Sequence, residues 1–335
     1  MTTADVEAIR LLLARLGVSV DDLRDGPTTQ RAVPTFREYV GQVAGAVPPS
    51  TRRAYESYWR QVVAVWGDRL IVEPTPLEIA QLAEETKRRA VLRRNARGGR
   101  SAAEHLIGAL RCLYRYAVAE DLISERDNPA ARVPKPRRLT STRRALPEAR
   151  LAEINEVAAT TGNDPELDTL LLRLHTETAC RRGGALALRR SDLDVEDSVV
   201  QLREKGGTVR WQPVSPTLMR HLLAHWDERG SGADGQVLRY RAGRPLTTRR
   251  YDYLWTRLGQ HLPWVATQQV TTHWLRHTTL TWAERNFGYA VARAYAGHTG
   301  KGDGGTTTTY IRADLQEVAT ALAALTGEPH PLGVR

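Results

Sequence analysis

The residue types able to do chemistry cluster in the second half of this sequence, in five short segments. Ala179-Cys180-Arg181-Arg182-Gly183-Gly184-Ala185-Leu186 follows an apolar helical run (Leu170, Leu171, Leu174) and presents an arginine pair beside small residues. Small residues let a backbone or a nucleic-acid strand approach closely. Lys205 stands at the Gly206-Gly207 turn of a hairpin pattern; a lysine can lose its proton near neutrality where an arginine cannot, so it can act as a general acid. In His273-Trp274-Leu275-Arg276-His277, His273 and Arg276 are three apart and share a helix face. A proton carrier beside an anion holder suits phosphoryl transfer. His298 directly follows Gly297, and Tyr310 closes the threonine run in Thr306-Thr307-Thr308-Thr309-Tyr310-Ile311-Arg312. A tyrosine can form a covalent intermediate when a neighbour takes its phenolic proton. Singly, each segment also has an ordinary structural reading: a surface arginine pair beside a helix end, a solvated turn lysine, a core histidine, a packed tyrosine.

Order and spacing carry more than any one segment. Arg181, Lys205, His273-x-x-Arg276, Gly297-His298 and Tyr310 together resemble the tyrosine recombinase (phage integrase) family. TACRRGGALALRRSDLD resembles the family's first arginine box, HWLRHT its His-x-Leu-Arg-His box, and GH with TTTTYIR its closing histidine and nucleophile boxes. LYRYAVAEDLISERDNPAARV, from Leu113 to Val133, is similar to the end of its helical core-binding domain, so the resemblance spans roughly residues 35–325. It implies a site-specific DNA recombinase or integrase that cuts and exchanges strands with no metal, ATP or other cofactor. By position, Tyr310 would attack the scissile phosphorus, giving a 3′-phosphotyrosyl link and a free 5′-hydroxyl. Arg181 and Arg276 would clamp the non-bridging oxygens, where charge grows in the transition state. Lys205 would protonate the leaving 5′-oxygen, His273 would take the tyrosine proton, and His298 would hydrogen-bond the phosphate.

Two positions depart from the family pattern. An acidic residue usual three positions after the first arginine is replaced by Gly184, and the stretch between His298 and Tyr310 is long and glycine-rich. That stretch could let Tyr310 swing into place or pass to a neighbouring subunit; its Lys301 imitates a catalytic lysine, although the surrounding sequence favours Lys205. The resemblance also implies homotetramers on paired sites in double-stranded DNA, with an accessory protein as a further partner. Arg52, Arg53, Arg93, Arg94, Arg97, Arg100, Arg111 and Arg182 are candidate phosphate contacts, which position a protein without specifying sequence.

Elements to hold these residues are legible in the hydrophobic periodicity. The pattern gives a mainly α fold with a small β-sheet in the second domain, and the resemblance implies that these are a helical core-binding domain and a mixed α/β recombinase catalytic domain forming a C-shaped clamp on DNA. The expected division is an N-terminal helical extension (1–30), the core-binding domain (31–130), a basic linker (131–145), the catalytic domain (146–326) and a mobile tail (327–335). In the extension, Val6, Ile9, Leu12, Leu13 and Leu16 share one face. Thr35-Phe-Arg-Glu38 is a capping box, Thr75-Pro76-Leu77-Glu78 opens a helix with proline in its first turn, and Ser101-Ala-Ala-Glu104 opens another. In the second domain Pro147 starts a helix, another runs from about Pro165 to Thr178, and Ser215-Pro216 restarts helix after the hairpin at 198–214. The last helix, about 313–325, carries an apolar stripe (Leu315, Val318, Leu322, Leu325) that fits either its own domain or an adjacent protomer.

Composition bounds the alternatives. The 335 residues are 41% hydrophobic, enough for sizeable cores, and carry a net charge of +10. Of the 48 basic residues, four are lysine (Lys87, Lys135, Lys205, Lys301) and the rest arginine, whose planar fork grips phosphate with two hydrogen bonds. The surplus leans toward a nucleic-acid partner. The first residues do not read as a signal peptide, no run suits a membrane span, and Cys112 and Cys180 exclude a disulfide scaffold or a cysteine zinc cluster, as in a cytoplasmic protein acting on DNA. There is no Gly-x-x-x-x-Gly-Lys-Ser/Thr, HExxH or GxSxG pattern. Two readings compete with recombination: nicking and rejoining of the topoisomerase kind by a monomer, and a DNA-binding protein that keeps the fold with weakened catalysis, which Gly184 makes plausible. The same boxes serve element integration and excision, transposition and chromosome-dimer resolution.

Overall fold

Thr35 accepts a hydrogen bond from the Glu38 amide while the Glu38 carboxylate takes the Thr35 amide, and Thr75 and Glu78 repeat the arrangement. Each reciprocal cap satisfies otherwise orphan first-turn amides and fixes where a helix begins. The computed structural model describes residues 3–17, 32–90, 99–137, 143–204, 207–230, 234–297 and 314–333. The chain divides into two compact units, Met1–Leu139 and Thr140–Arg335. The described elements are mainly helical, with one small antiparallel sheet. None of the described helices is long and apolar enough to cross a membrane.

In the first unit, α1 (Thr3–Leu16) leaves Val6, Ile9, Leu11 and Leu12 exposed. Among the described residues four further helices follow: α2 (Phe36–Ala46), α3 (Pro49–Trp66), α4 (Pro76–Arg89) and α5 (Arg100–Ala119). Phe36, Tyr39, Trp59, Trp66, Ile79, Leu106, Leu110 and Tyr114 close into one core. The buried polar tips find partners: Trp59 Nε1 donates to Ala109 O (3.1 Å) and the Tyr114 hydroxyl to Ile71 O (2.8 Å). One boundary differs from expectation. Ser101 does not cap α5, because the N-cap is Gly99, two residues earlier, whose left-handed backbone (φ 72) makes the turn without a side-chain cap.

The second unit opens with α6 (Glu148–Thr160) and α7 (Pro165–Thr178), the latter capped by Asp164. After the five-residue α8 (Arg182–Leu186) come β1 (Leu193–Asp194), β2 (Val199–Arg203) and β3 (Val209–Pro213), in sheet order β1-β2-β3. The β2–β3 pair is the expected hairpin, with Val200 opposite Gln212 and Leu202 opposite Arg210; the two-residue β1 left no mark in the sequence pattern. Then follow α9 (Pro216–Arg229), α10 (Thr248–His261), α11 (Pro263–Gln268), α12 (Thr272–Tyr295) and α13 (Leu315–Thr326). Helix α12 kinks at Gly288, whose φ of 84° a side chain would resist.

At the C-terminus one alternative left open by the sequence is seen and one expectation changes. Val318, Ala321 and Leu322 of α13 are buried beside Ala179, Ala283, Val291 and Tyr295, so the apolar stripe packs within its own unit. The described part of the tail is anchored rather than mobile. Glu328 accepts from Arg173 (2.8 Å) and from the Thr217 amide (3.1 Å), and the buried His330 donates from Nε2 to Ser198 O (3.1 Å). These polar anchors have no hydrophobic periodicity to announce them.

Candidate functional site

Arg181 is presented by a turn that other side chains hold rigid. Helix α7 ends on Ala179, a non-glycine residue in the left-handed region (φ 48). His175 Nδ1 faces the Cys180 carbonyl at 3.1 Å, and because a carbonyl only accepts, this nitrogen carries the proton; Nε2 then accepts from the Tyr251 hydroxyl at 2.9 Å. Burial pushes His175 down to about 4 and the Cys180 thiol up to about 11, so both are neutral near pH 7. The thiol is a packing group, not a nucleophile.

The side chain of Arg181 is fixed from across the fold. Its main-chain N–H donates to Glu204 Oε1 (2.7 Å) and its guanidinium to Oε2 (2.8 Å), with Glu204 fully buried and Arg181 35% exposed. Arg210, buried on β3, brings its Nε to 3.6 Å from the same carboxylate. Arg276, 4% exposed, donates to the Ala179 carbonyl and to Ala296 O (2.7 Å), which ties the α7–α8 turn to the end of α12. Burial pushes the Glu204 carboxyl up, but the Arg181 amide and the charges of Arg210, Arg181 and Arg276 outweigh it and hold the group below the usual carboxylate range. Arg276 is drawn down to about 10 by burial and then by Arg181, and it stays charged at neutral pH. Three guanidiniums around one carboxylate leave a positive excess in a low-dielectric place, which an anion would complement.

His273 and Arg276 occupy the first two turns of α12, positioned by Thr272, whose buried hydroxyl accepts from Trp255 Nε1 (2.8 Å). The His273 ring is exposed by surface area. The protein packed about it, and then the charges of Arg143, Arg276, His277 and Arg181, still lower its pKa and favour the neutral form, which can accept a proton. Arg181, Arg182, Glu204, His273 and Arg276 line one cleft of about 680 Å³. A larger hollow of about 1190 Å³, bordered by Leu151, Arg173, His221 and Trp282, contains none of the candidate residues.

Of the six residues singled out as catalytic, the described structure thus brings Arg181, His273 and Arg276 together; Lys205, His298 and Tyr310 lie outside the described residues, as does Lys301. Gly297, the residue before His298, has φ 68°, and a Cβ there would stand 2.4 Å from the Arg210 side chain, so glycine is required there. Among the candidate DNA contacts, Arg93, Arg94 and Arg97 also lie outside the described residues. Arg53 and Arg100 are exposed, Arg52 is 3.7 Å from Glu56, and Arg182 is 3.6 Å from Asp252. Arg111 makes contacts within its own unit that the sequence did not suggest. Its guanidinium donates to Ala130 O (3.1 Å) and Val133 O (2.7 Å), holding the segment after α5 against the helix.

Glu204 and Arg210 escaped sequence reasoning. Glu204 has no periodic context, and β3 inverts the usual alternation: Arg210 and Gln212 face inward while Val209 and Trp211 are exposed. The one available signal was the missing acid at Gly184, where a Cβ would stand 3.2 Å from Glu204 Cγ.

The sequence profile described as "Phage integrase family" matches residues 144–317. The chain is 28% identical over 303 residues to the tyrosine recombinase XerC of Xanthomonas axonopodis pv. citri (strain 306), covering 86% of this chain and 94% of that one. It is 29% identical over 238 residues to the XerC of Pseudomonas aeruginosa (strain LESB58), covering 69% and 74%. In fold it is similar to a lambda integrase solved as a tetramer bound to a Holliday junction, with a TM-score of 0.61 and 18% identity over 93% of this chain and 87% of that one. The Tn1549 transposon integrase, solved with circular intermediate DNA, gives a TM-score of 0.60 at 19% identity over 84% and 95%.

Proposed function

Because the chain belongs to the phage integrase family, we propose that it is a tyrosine-type site-specific DNA recombinase working through a 3′-phosphotyrosyl intermediate on Tyr310. The observation that carries this reading is the convergence of Arg181, His273 and Arg276 on one positively charged cleft. Two rigidly held guanidiniums are suited to a phosphate whose non-bridging oxygens gain charge during displacement, and donors already in place need no reorganisation as the reaction proceeds.

In the proposed step the Tyr310 oxygen bonds to phosphorus while the bond to the 5′-oxygen breaks. His273, favoured as the neutral base, takes the phenolic proton, Lys205 gives a proton to the departing 5′-oxygen, and His298 donates to the phosphate. The phosphodiester energy is kept in the tyrosyl ester, so a second 5′-hydroxyl can reverse the step without nucleotide hydrolysis. The partner is double-stranded DNA carrying paired sites, and the assembly is a tetramer, as the lambda integrase on its junction is. Exposed Arg53, Arg100 and Arg182 add phosphate contacts that fix register rather than sequence.

The test starts from duplexes selected by this protein out of a randomised DNA pool, rebuilt as nicked suicide substrates. Wild type gives a covalent protein–DNA band in a denaturing gel, and Tyr310→Phe gives none. Lys205→Arg binds with unchanged affinity and cleaves at least about 100-fold more slowly. A wild-type protein that binds the duplex and leaves no covalent band overturns the reading.

A further inference from the structure

We propose that Glu204 is a positioning residue for Arg181 and that Gly184 is the space its carboxylate occupies. The inference rests on the reading of Arg181 as a phosphate clamp. Arg181 is the N-cap of α8, and Gly184 is the third residue of that helix. A glutamate at that third position ordinarily reaches back to the N-cap amide. Here the acceptor for the Arg181 amide is Glu204 Oε1, delivered from just beyond β2 and 23 positions away in sequence. The other oxygen of the same carboxylate takes the Arg181 guanidinium. One group therefore anchors both the main chain and the head of the arginine, which removes most of the rotamers that would carry the guanidinium out of the cleft.

Gly184 is the complement of that arrangement. A Cβ there would meet Glu204 Cγ at 3.2 Å and Oε1 at 3.5 Å. A Cβ at 184 would make Glu204 give way by a few tenths of an ångström, so a longer side chain there crowds the carboxylate that Glu204 places against Arg181. The glycine is then no sign of weakened chemistry; it marks the route by which the counter-charge reaches Arg181.

The experiment uses the full chain with Glu204→Gln, Glu204→Ala, Gly184→Glu and the double change Gly184→Glu/Glu204→Ala, on the selected suicide duplexes. All four are expected to bind DNA within about two-fold of wild type, since affinity comes from many phosphate contacts. Covalent-complex formation falls about 10-fold in Glu204→Gln and about 100-fold in Glu204→Ala, the scale of a misplaced catalytic group. Gly184→Glu alone is also slowed, while the double change runs at least about 10-fold faster than Glu204→Ala because the carboxylate returns from the helix position.

A second substrate reads charge directly. With an uncharged methylphosphonate in place of the scissile phosphate, less charge needs neutralising, and the Glu204→Ala deficit shrinks to within about three-fold of wild type. Loss of folding slows both substrates alike. Should Glu204→Ala unfold, Glu204→Gln and Gly184→Glu/Glu204→Gln make the same comparison. Cleavage by Glu204→Ala at the wild-type rate, or a double change no faster than Glu204→Ala, overturns this proposal and leaves the recombinase reading standing. A wild type that binds without forming the covalent band overturns both.

Discussion

The first unit buries, among its described residues, Thr86 and Asn128 as its polar side chains and no charged one. The second buries Asp164, Asp168, Glu177, Asp192 and Glu204 together with Arg210, Arg229, Arg239, Arg250, Arg257 and Arg276. One is thus a bundle held by apolar burial along helical stripes. The other is threaded with charge pairs between segments distant in sequence: Asp168 takes Arg250 (2.7 Å) and Arg257 (2.6 Å), and Asp164 takes both terminal nitrogens of Arg229 (2.6 and 3.1 Å). Such pairs are poor sources of net stability compared with apolar contacts, yet breaking one partner is costly because the other is left charged and dry. What they supply is geometry: on the function proposed above, the second unit aims two arginines at one phosphate, and fixed partners for its guanidiniums suit that task.

That contrast can be broken most directly at Asp168. Asp168→Ala leaves Arg250 and Arg257 without their shared carboxylate and is expected to cost about 4 kcal/mol. Denaturant unfolding followed by circular dichroism should show an early transition for the second unit while the first keeps its midpoint; a single unshifted transition would contradict the assignment. In the first unit the corresponding break is apolar. Leu106→Ala removes a fully buried side chain and should cost about 3 kcal/mol through transfer and cavity terms. That loss should not depend on pH between 5 and 8.

Acid separates the units next. His175 and His225 are both held down to about 4 by burial, below the ordinary 6.5. Below 6.5 the unfolded chain binds protons that the folded one refuses, so their contribution is complete above 6.5, declines as pH falls and levels off below about 4. The second unit should lose about 2 kcal/mol per histidine by pH 4.5. In the first unit, Glu78 is drawn down to about 2 by Arg69 and the Thr75 amide, so its contribution is lost only below about 4.5. Thermal melts across pH 7 to 4 that shift both units together would count against this.

The smallest effect concerns Arg111 and Arg53 of the first unit. Arg111→Ala should cost about 1–2 kcal/mol of stability by leaving the carbonyls of Ala130 and Val133 unpaired, with little change in DNA affinity. Arg53→Ala should leave stability unchanged and reduce the salt dependence of DNA binding by about one phosphate contact. An equal effect of both on binding would return Arg111 to the DNA-contact set.

Much of this was legible in the sequence because it depends on local or ordered patterns. The capping boxes at Thr35 and Thr75, the apolar faces of α3, α5 and α7 and the hairpin around Gly206-Gly207 follow from spacing, since neighbours three, four or two residues apart are neighbours in space as well. The sequence also determined the family, through the order Arg181, Lys205, His273-x-x-Arg276, Gly297-His298 and Tyr310, together with an arginine-rich balance suited to phosphate. Only the tertiary structure decided how those arginines divide their labour. Arg111 turns to main-chain carbonyls, Arg250 and Arg257 share a buried aspartate, Arg210 faces inward from a strand whose alternation is reversed, and Glu204 fills the place left by Gly184. A guanidinium reads the same in sequence whether it meets DNA, a carbonyl or a carboxylate. Its role is set by which group lies within about 3 Å after folding, and those groups come from 20 to nearly 100 positions away.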